Sequence, residues 1–374
     1  MKKVIVVDWL DAYGGTERII RLIDQVFDFD ACYTLVDVMS EKDREKIFNG
    51  KSIPIIQTPL KIFGKKFRIM FPLFDYFFGK LKVDSQVELI ISISHAVAKG
   101  IKKSNSNQIH ISFFTARNKK YIRNDHSTIY FGKFHFLLSP LFACLRRIDL
   151  KKKQNPDYIA TLSFFVKDWI TKTYQRDSDV IYPPVDLSNF RLETQKEEYY
   201  VTVGRLEPYK RFDIIVKAFN ENGKKLIVVG NGSQQKRLKR IAKKNILFTD
   251  FLESEEVFAY ISKAKAFIHA GIEDFGITFI EAQACGTPII AYQAGGVLET
   301  VIQNKTGVFF EKPTAESLNE AIVNFEKITF DYIQIRNHAL QFSEEKFKRE
   351  FKEFVEEKNQ KPQILYKYTV NDYS

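Results

Sequence analysis

Short apolar runs alternate with helical patterns along almost the whole chain, and this alternation limits the fold more than any other feature of the sequence. Val4–Val7, Leu89–Ile93, Ile109–Phe113, Tyr158–Leu162 and Val180–Tyr182 read as strands. Apolar on successive residues, they suit strands buried on both faces. A helix opens at Gly14-Gly15-Thr16, and another spans about 164–174. Pro183-Pro184-Val185-Asp186 and the polar run to Glu198 read as a linker. A second series then begins, with strands at 199–203, 225–229, 246–249, 266–269, 288–291 and 307–310 and helical patterns between them. Strands separated by helices imply parallel sheets covered on both faces. The expected class is α/β, with two Rossmann-like doubly wound domains, 1–184 and 185–342, facing across a cleft. Residues 343–374 form a terminal helix and tail expected to pack back toward the first domain. Ligands of such sheets bind beyond the strand C-termini, so a substrate held between domains is expected.

The 374 residues carry 57 Lys and Arg against 46 Asp and Glu, a net charge of +11. The stretch Lys99–Lys153 holds 13 of the bases and only two acids, Asp125 and Asp149, which accounts for the entire surplus. A local basic stretch asks for an anionic partner. Two aromatic, basic segments, Lys61–Lys82 and Ile129–Arg147, have the composition of helices lying in a membrane surface. The alternative is a pair of core-packing helices broken by Pro72 and Pro140. Nucleic acid is excluded as a partner, since these aromatics sit in long apolar runs without a stacking platform. Cys32, Cys144 and Cys285 are odd in number and far apart, which suits neither a disulfide framework nor zinc. The start MKKVIVVD is too short in apolar residues for a signal peptide, and no uncharged run reaches the ~18 residues of a membrane span. A cytoplasmic location, peripheral on the inner face of the cell membrane, is expected.

Candidate chemistry concentrates in the second domain. Gly204-Arg205 directly follows a strand and Lys210 lies five residues on. A guanidinium fork and an ammonium point charge together suit a diphosphate, although both could be surface charges. Gly230 in the next strand's Gly-Asn-Gly turn allows close backbone approach to a ligand. In His269–Ala282 a strand, a polar loop and a helix beginning at Gly276 or Ile277 follow one another. Free amides at such a helix start form an anion site. Glu273 lies in the loop and Glu281 in the helix, so that one carboxylate can reach the group beyond a bound phosphate and the other ribose hydroxyls, the alternative being a solvated loop acid and a helix-dipole acid. Asp28/Asp30 and Asp177/Asp179 have a metal-chelating spacing but follow helices, which disfavours that role. In the first domain His95, after a strand, could face the cleft, whereas His110 begins a strand and reads as structural.

These residues together resemble the retaining nucleotide-sugar glycosyltransferases of family 4, which have the two-domain GT-B fold. The resemblance rests on Gly14-Gly15-Thr16-Glu17-Arg18, Gly204-Arg205 with Lys210, Glu273 with Glu281, and Cys285-Gly286-Thr287-Pro288 with Gly295-Gly296. Ser94–Gly100 and Val180–Asp186 look more narrowly like bacterial O-antigen and exopolysaccharide mannosyltransferases. The resemblance implies that the Gly15 amide and the Gly276–Ile277 amides meet donor phosphates, and that Arg205 and Lys210 neutralise them. It further implies that Glu281 holds the ribose and Glu273 the donor sugar, and that no cofactor or divalent metal is needed. One departure stands out: the family's histidine facing the donor sugar is Thr115 here, two residues before Arg117. His95, Thr115 and Arg117 are the residues left for the acceptor side of the cleft. The expected activity is transfer of a hexose, GDP-mannose first among donors, to a sugar hydroxyl of a lipid-linked polysaccharide intermediate at an anionic membrane surface. A nucleotide-sugar epimerase or phosphorylase on the same fold and a non-catalytic nucleotide-sugar-binding or scaffold protein are the alternatives.

Overall fold

The computed structural model describes residues 1–117 and 135–360. Part of the basic stretch, the start of the second aromatic segment and the tail after 360 lie outside the described residues. The first sheet has seven strands: β1 (Lys2–Val7), β2 (Ala31–Thr34), β3 (Ile55–Gln57), β4 (Val87–Ser94), β5 (Ile109–Phe114), β6 (Tyr158–Thr161) and β7 (Asp179–Val180). They lie in the order β3-β2-β1-β4-β5-β6-β7 with every pair parallel. The second sheet has β8 (Glu197–Val203), β9 (Leu226–Val229), β10 (Ile246–Phe248), β11 (Ala264–His269), β12 (Ile289–Tyr292) and β13 (Gly307–Phe310). Its order is β10-β9-β8-β11-β12-β13, again all parallel.

Alternation along each central strand divides its side chains between two cores. Ile5 and Val7 of β1 pack with the helix Gly15–Phe27, whereas Val4 and Val6 pack with Phe67, Phe74 and Phe78 on the other face. In β8, Tyr200 points to one core and Tyr199 and Val201 to the other. Burying each such side chain contributes roughly 1.5–3 kcal/mol, so a one-residue slip in register would exchange the two cores of either domain.

Two crossings tie the domains together side by side. Val185 donates its amide to the Phe342 carbonyl at 2.9 Å, and Tyr182, Phe275 and Phe342 form an aromatic trio beside it. The helix Glu344–Gln360 then returns to the first domain, where Phe347, Phe351, Phe354 and Val355 enter its core and Glu344 pairs with Arg21 at 2.9 Å.

The aromatic segments divide between core and surface. Pro59–Leu73 is a series of 3-10 turns kinked at Gly64, followed by a short helix, Phe74–Phe78. The helix His135–Lys151 runs through Pro140 rather than breaking there. The proline lies early in the helix, and the residue whose carbonyl loses an amide partner, Phe136, is 83% exposed. Phe71 packs against Phe142 and Leu145, so the two segments meet in the core. Ile62, Phe63, Ile69 and Tyr76 remain exposed, as do Phe136 and Leu137.

Candidate functional site

Each sheet has one place where its connections reverse direction, between β1 and β4 in the first and between β8 and β11 in the second. Crevices beyond strand ends form at such points. Of the expected donor residues, Gly204, Arg205 and Lys210 follow β8, Glu273, Gly276, Ile277 and Glu281 follow β11, Gly15 follows β1 and Gly230 follows β9, while His95 follows β4.

Beyond β8, Gly204-Arg205 leads into a 3-10 turn, Pro208–Lys210. Lys210 Nζ meets Glu273 Oε1 at 2.6 Å. Arg205 is exposed, touches only the Tyr209 hydroxyl at 3.4 Å, and has no carboxylate partner among the described residues. One cation is therefore held by the loop glutamate and the other is open to an anion. Gly230 sits at φ 121, where an added Cβ would lie 2.2 Å from the Gly204 carbonyl oxygen. Only glycine lets these two loops touch.

The loop after β11 carries Glu273. Its backbone is held by the Gly295-Gly296 turn, where the Gly296 amide donates to the Glu273 carbonyl at 2.8 Å. Gly276, at φ 93, is the N-cap of the helix Ile277–Ala284, which has no capping side chain and no acid in its first turn. A Cβ on Gly276 would strike the Phe279 ring. The amides at this helix start are thus left for a ligand. Beneath the loop, His269 is buried, packs edge-on against Phe279, and has its Nε2 3.5 Å from Glu273 Oε1, too far for a hydrogen bond. Burial chiefly, with Lys210 adding to it, lowers its pKa to about 4 against the pull of Glu273, so the ring is neutral.

The first domain completes the cleft. Gly15 approaches Ile277, whose Cδ1 lies 3.6 Å from where a Gly15 Cβ would stand. Burial raises the Glu281 carboxyl above its ordinary range, and the charge of Arg18, in the helix opened by Gly15, opposes the rise. Thr115 donates its amide to Ser94 at 3.1 Å, which puts it at the strand end next to His95. Its hydroxyl is buried without a partner among the described residues. Arg117 lies between the domains but is not open to an acceptor. Its Nε meets Asp274 at 2.5 Å, and its guanidinium lies over Phe165. Asp28 and Asp177 are held by Lys51 and Lys167 and lie away from both reversal points.

Sequence reasoning did not single out four participants. Asp8 ends β1 and supports His95. Asp274 receives Arg117, while the Ser163 hydroxyl donates to its carbonyl at 2.6 Å. Glu299, from the second domain, accepts the Phe164 and Phe165 amides at 2.8 and 2.9 Å, capping a helix of the first. A visible signal existed for Asp8 alone, an acid at the end of the first buried strand.

The chain matches the family description "Glycosyl transferases group 1" over residues 186–349, the part that holds Arg205, Lys210, Glu273 and Glu281. An O-antigen chain mannosyltransferase of Salmonella typhimurium is 28% identical over 246 residues, 62% of this chain and 68% of that protein. A GDP-mannose-dependent phosphatidylinositol monomannoside mannosyltransferase of Mycolicibacterium smegmatis is 31% identical over 140 residues. That match spans 33% of this chain and 37% of the relative. Anabaena HepE, solved with UDP and glucose, superposes with a TM-score of 0.67 at 16% identity, covering 96% of this chain and 100% of HepE. Sucrose-phosphate synthase of Thermosynechococcus elongatus superposes with a TM-score of 0.70 at 15% identity, covering 96% and 99%. The fold of these structures therefore extends over both domains, and the family match lies on the second.

Proposed function

We propose that the protein is a retaining, metal-independent hexosyltransferase that moves a sugar from a nucleoside diphosphate to a sugar hydroxyl of a lipid-linked glycan. The carrying observation is the Lys210–Glu273 pair, 2.6 Å long, beside an exposed Arg205 with no carboxylate partner among the described residues and an uncapped helix start at one strand-end crevice. In this reading the incoming diphosphate takes Lys210 from Glu273 and adds Arg205 and the Gly276–Ile277 amides. These groups stabilise the charge that grows on the leaving phosphate, so no metal and no protein nucleophile are required. The freed Glu273 turns to the donor sugar, and Glu281 holds the ribose. The leaving phosphate oxygen takes the acceptor's proton on the same face of the sugar, which retains the anomeric configuration. GDP-mannose is the first donor to test, prompted by the two mannosyltransferase relatives.

The acceptor side faces a membrane in the same proposal. Exposed Ile62, Phe63 and Ile69 alternate with exposed Lys61, Lys65, Lys66 and Arg68, and Phe136 and Leu137 add a second exposed apolar pair. An apolar wedge ringed by cations suits anionic lipid. No described helix is long and apolar enough to cross a membrane.

The test measures release of nucleotide from GDP-mannose, UDP-glucose and related donors. Arg205→Ala and Lys210→Ala are expected to lower turnover roughly a hundred- to a thousandfold with the fold intact. Near-wild-type rates in both variants, or full loss of activity in EDTA, would sink the proposal.

A further inference from the structure

At the reversal point of the first sheet, Asp8 is held by an unusual number of donors. Its carboxylate accepts the amides of His95, Ala96, Val97 and Ala98 at 2.5–2.9 Å and meets His95 Nδ1 at 3.0 Å. The side chain is only 1% exposed. Burial alone would raise its pKa, but the His95 charge, the imidazole bond and the amides hold it down at about 2. With Nδ1 facing Asp8, the ring is fixed in one orientation, and Trp9 stands edge-on against it at 4.7 Å. The opposite atom, Nε2, has no partner among the described residues, and the side chain is 32% exposed. Partial burial works against a charge on His95, yet Asp8 carries its pKa above the ordinary value.

The other charged groups around the ring are accounted for. Asp11 is paired with Arg68, which lies over the Trp9 face. Glu17 is buried against Gly14, and burial raises its carboxyl, which favours the uncharged form. Asp8 is compensated by its donors, so the group left facing outward is the Nε2 edge of His95. It stands beside the loop that leads to Gly15, where a Cβ would lie 3.6 Å from Ile277 Cδ1.

We propose that His95 is a substrate-contacting residue whose Nε2–H hydrogen-bonds a diphosphate oxygen in the cleft, and that Asp8 is the positioning residue that sets the ring's tautomer and charge. The inference rests on the proposed glycosyltransferase reading and adds to it an anion-binding group from the first domain. The diphosphate could belong to the donor nucleotide or to a lipid-linked acceptor, and the chemistry of recognition is the same.

The test titrates the full-length protein with GDP, UDP and geranyl diphosphate across pH 5.5–9 by calorimetry, for wild type, His95→Gln and Asp8→Asn, with ring nitrogen NMR of His95 in parallel. Affinity for one diphosphate should fall as pH rises through the His95 titration. His95→Gln should weaken binding at low pH by about tenfold or more, as for one charged hydrogen bond. Asp8→Asn should move both the ring titration and the affinity break down by about one pH unit or more. An effect confined to GDP or UDP assigns the contact to the donor, and one confined to geranyl diphosphate assigns it to the acceptor. Diphosphate binding that is lost in Arg205→Ala but unchanged in His95→Gln at every pH overturns the dyad and leaves the enzyme reading standing. Failure of wild type to bind any of the three overturns both. Should Asp8→Asn fail to fold, the His95→Gln comparison still decides.

Discussion

Glu299 offers a sharp test of how the two domains are held. Its carboxylate accepts the Phe164 amide at 2.8 Å and the Phe165 amide at 2.9 Å, with Ser163 capping Val166 at 3.1 Å. The Phe164 amide is exposed and the Phe165 amide part-buried, so in Glu299→Ala water can replace the carboxylate at the first but poorly at the second. One charged hydrogen bond is worth about 1.5–3 kcal/mol to the amide that makes it, whereas the charge's burial penalty is recovered in global stability and not at these two amides. The expected loss is about 1–2 kcal/mol, a roughly 5- to 30-fold fall in hydrogen-exchange protection at these two amides. Glu299→Gln keeps an acceptor oxygen and should retain most of the protection. The pH dependence has a definite sign. Burial raises the Glu299 carboxyl, against the pull of the two amides, from its ordinary value of 4.5. Its contribution to stability is therefore fully present below 4.5 and lost as pH rises through the folded value. Glu299→Gln should thus gain stability relative to wild type as pH rises through that window. Unchanged protection at Phe164 and Phe165 in Glu299→Ala, or equal losses in the Ala and Gln variants, would refute the reasoning.

Glu281→Gln should stabilise the ligand-free protein at neutral pH, because burial raises the carboxyl and its charge is unfavourable in the fold. Thermal melts should show the gain vanishing at acid pH, while calorimetry shows weaker nucleotide binding. Lys99→Ala should cost about 3–5 kcal/mol by urea unfolding. It strands Asp149, which Lys99 meets at 2.6 Å with both side chains nearly buried. Replacing Ile62 and Phe63 by Ser should abolish co-sedimentation with vesicles containing anionic lipid, and wild-type binding should weaken with salt. Wild-type binding that ignores salt and lipid charge would remove the membrane face from the proposal.

Most strands could be read from sequence because a parallel strand buried on both faces has to be apolar along its length, as β9 is. β3 escaped notice, since three residues, Ile55–Gln57, between Pro54 and Pro59 are too few to show a pattern. The candidate residues of the second domain were visible because their positions follow strand ends directly, and Gly204, Gly230 and Gly276 mark where backbone must turn or approach closely. Glu299 and Asp274 were invisible for a different reason. Their partners are backbone amides and an arginine more than a hundred residues away, and no local spacing encodes such contacts.

The basic stretch shows the same limit most clearly. Counting charges along the chain treats Lys99–Lys153 as one solvated surface, but folding pairs residues by space rather than by sequence. Lys99 is buried on Asp149, Lys103 meets Asp157, Arg117 meets Asp274 and Lys152 meets Asp75, so four of its described bases are tied to acids. Three of those acids lie outside the stretch, where the linear count assigned them to a balanced remainder. The surplus therefore has to reappear wherever the lost acids came from. In the first domain it does so beside exposed apolar side chains, among Lys61, Lys65 and Lys66. The proposed membrane-docking role thus rests on the exposed 61–69 segment with Phe136 and Leu137 rather than on the number of bases in Lys99–Lys153. That shift follows from four ion pairs that only the three-dimensional structure contains.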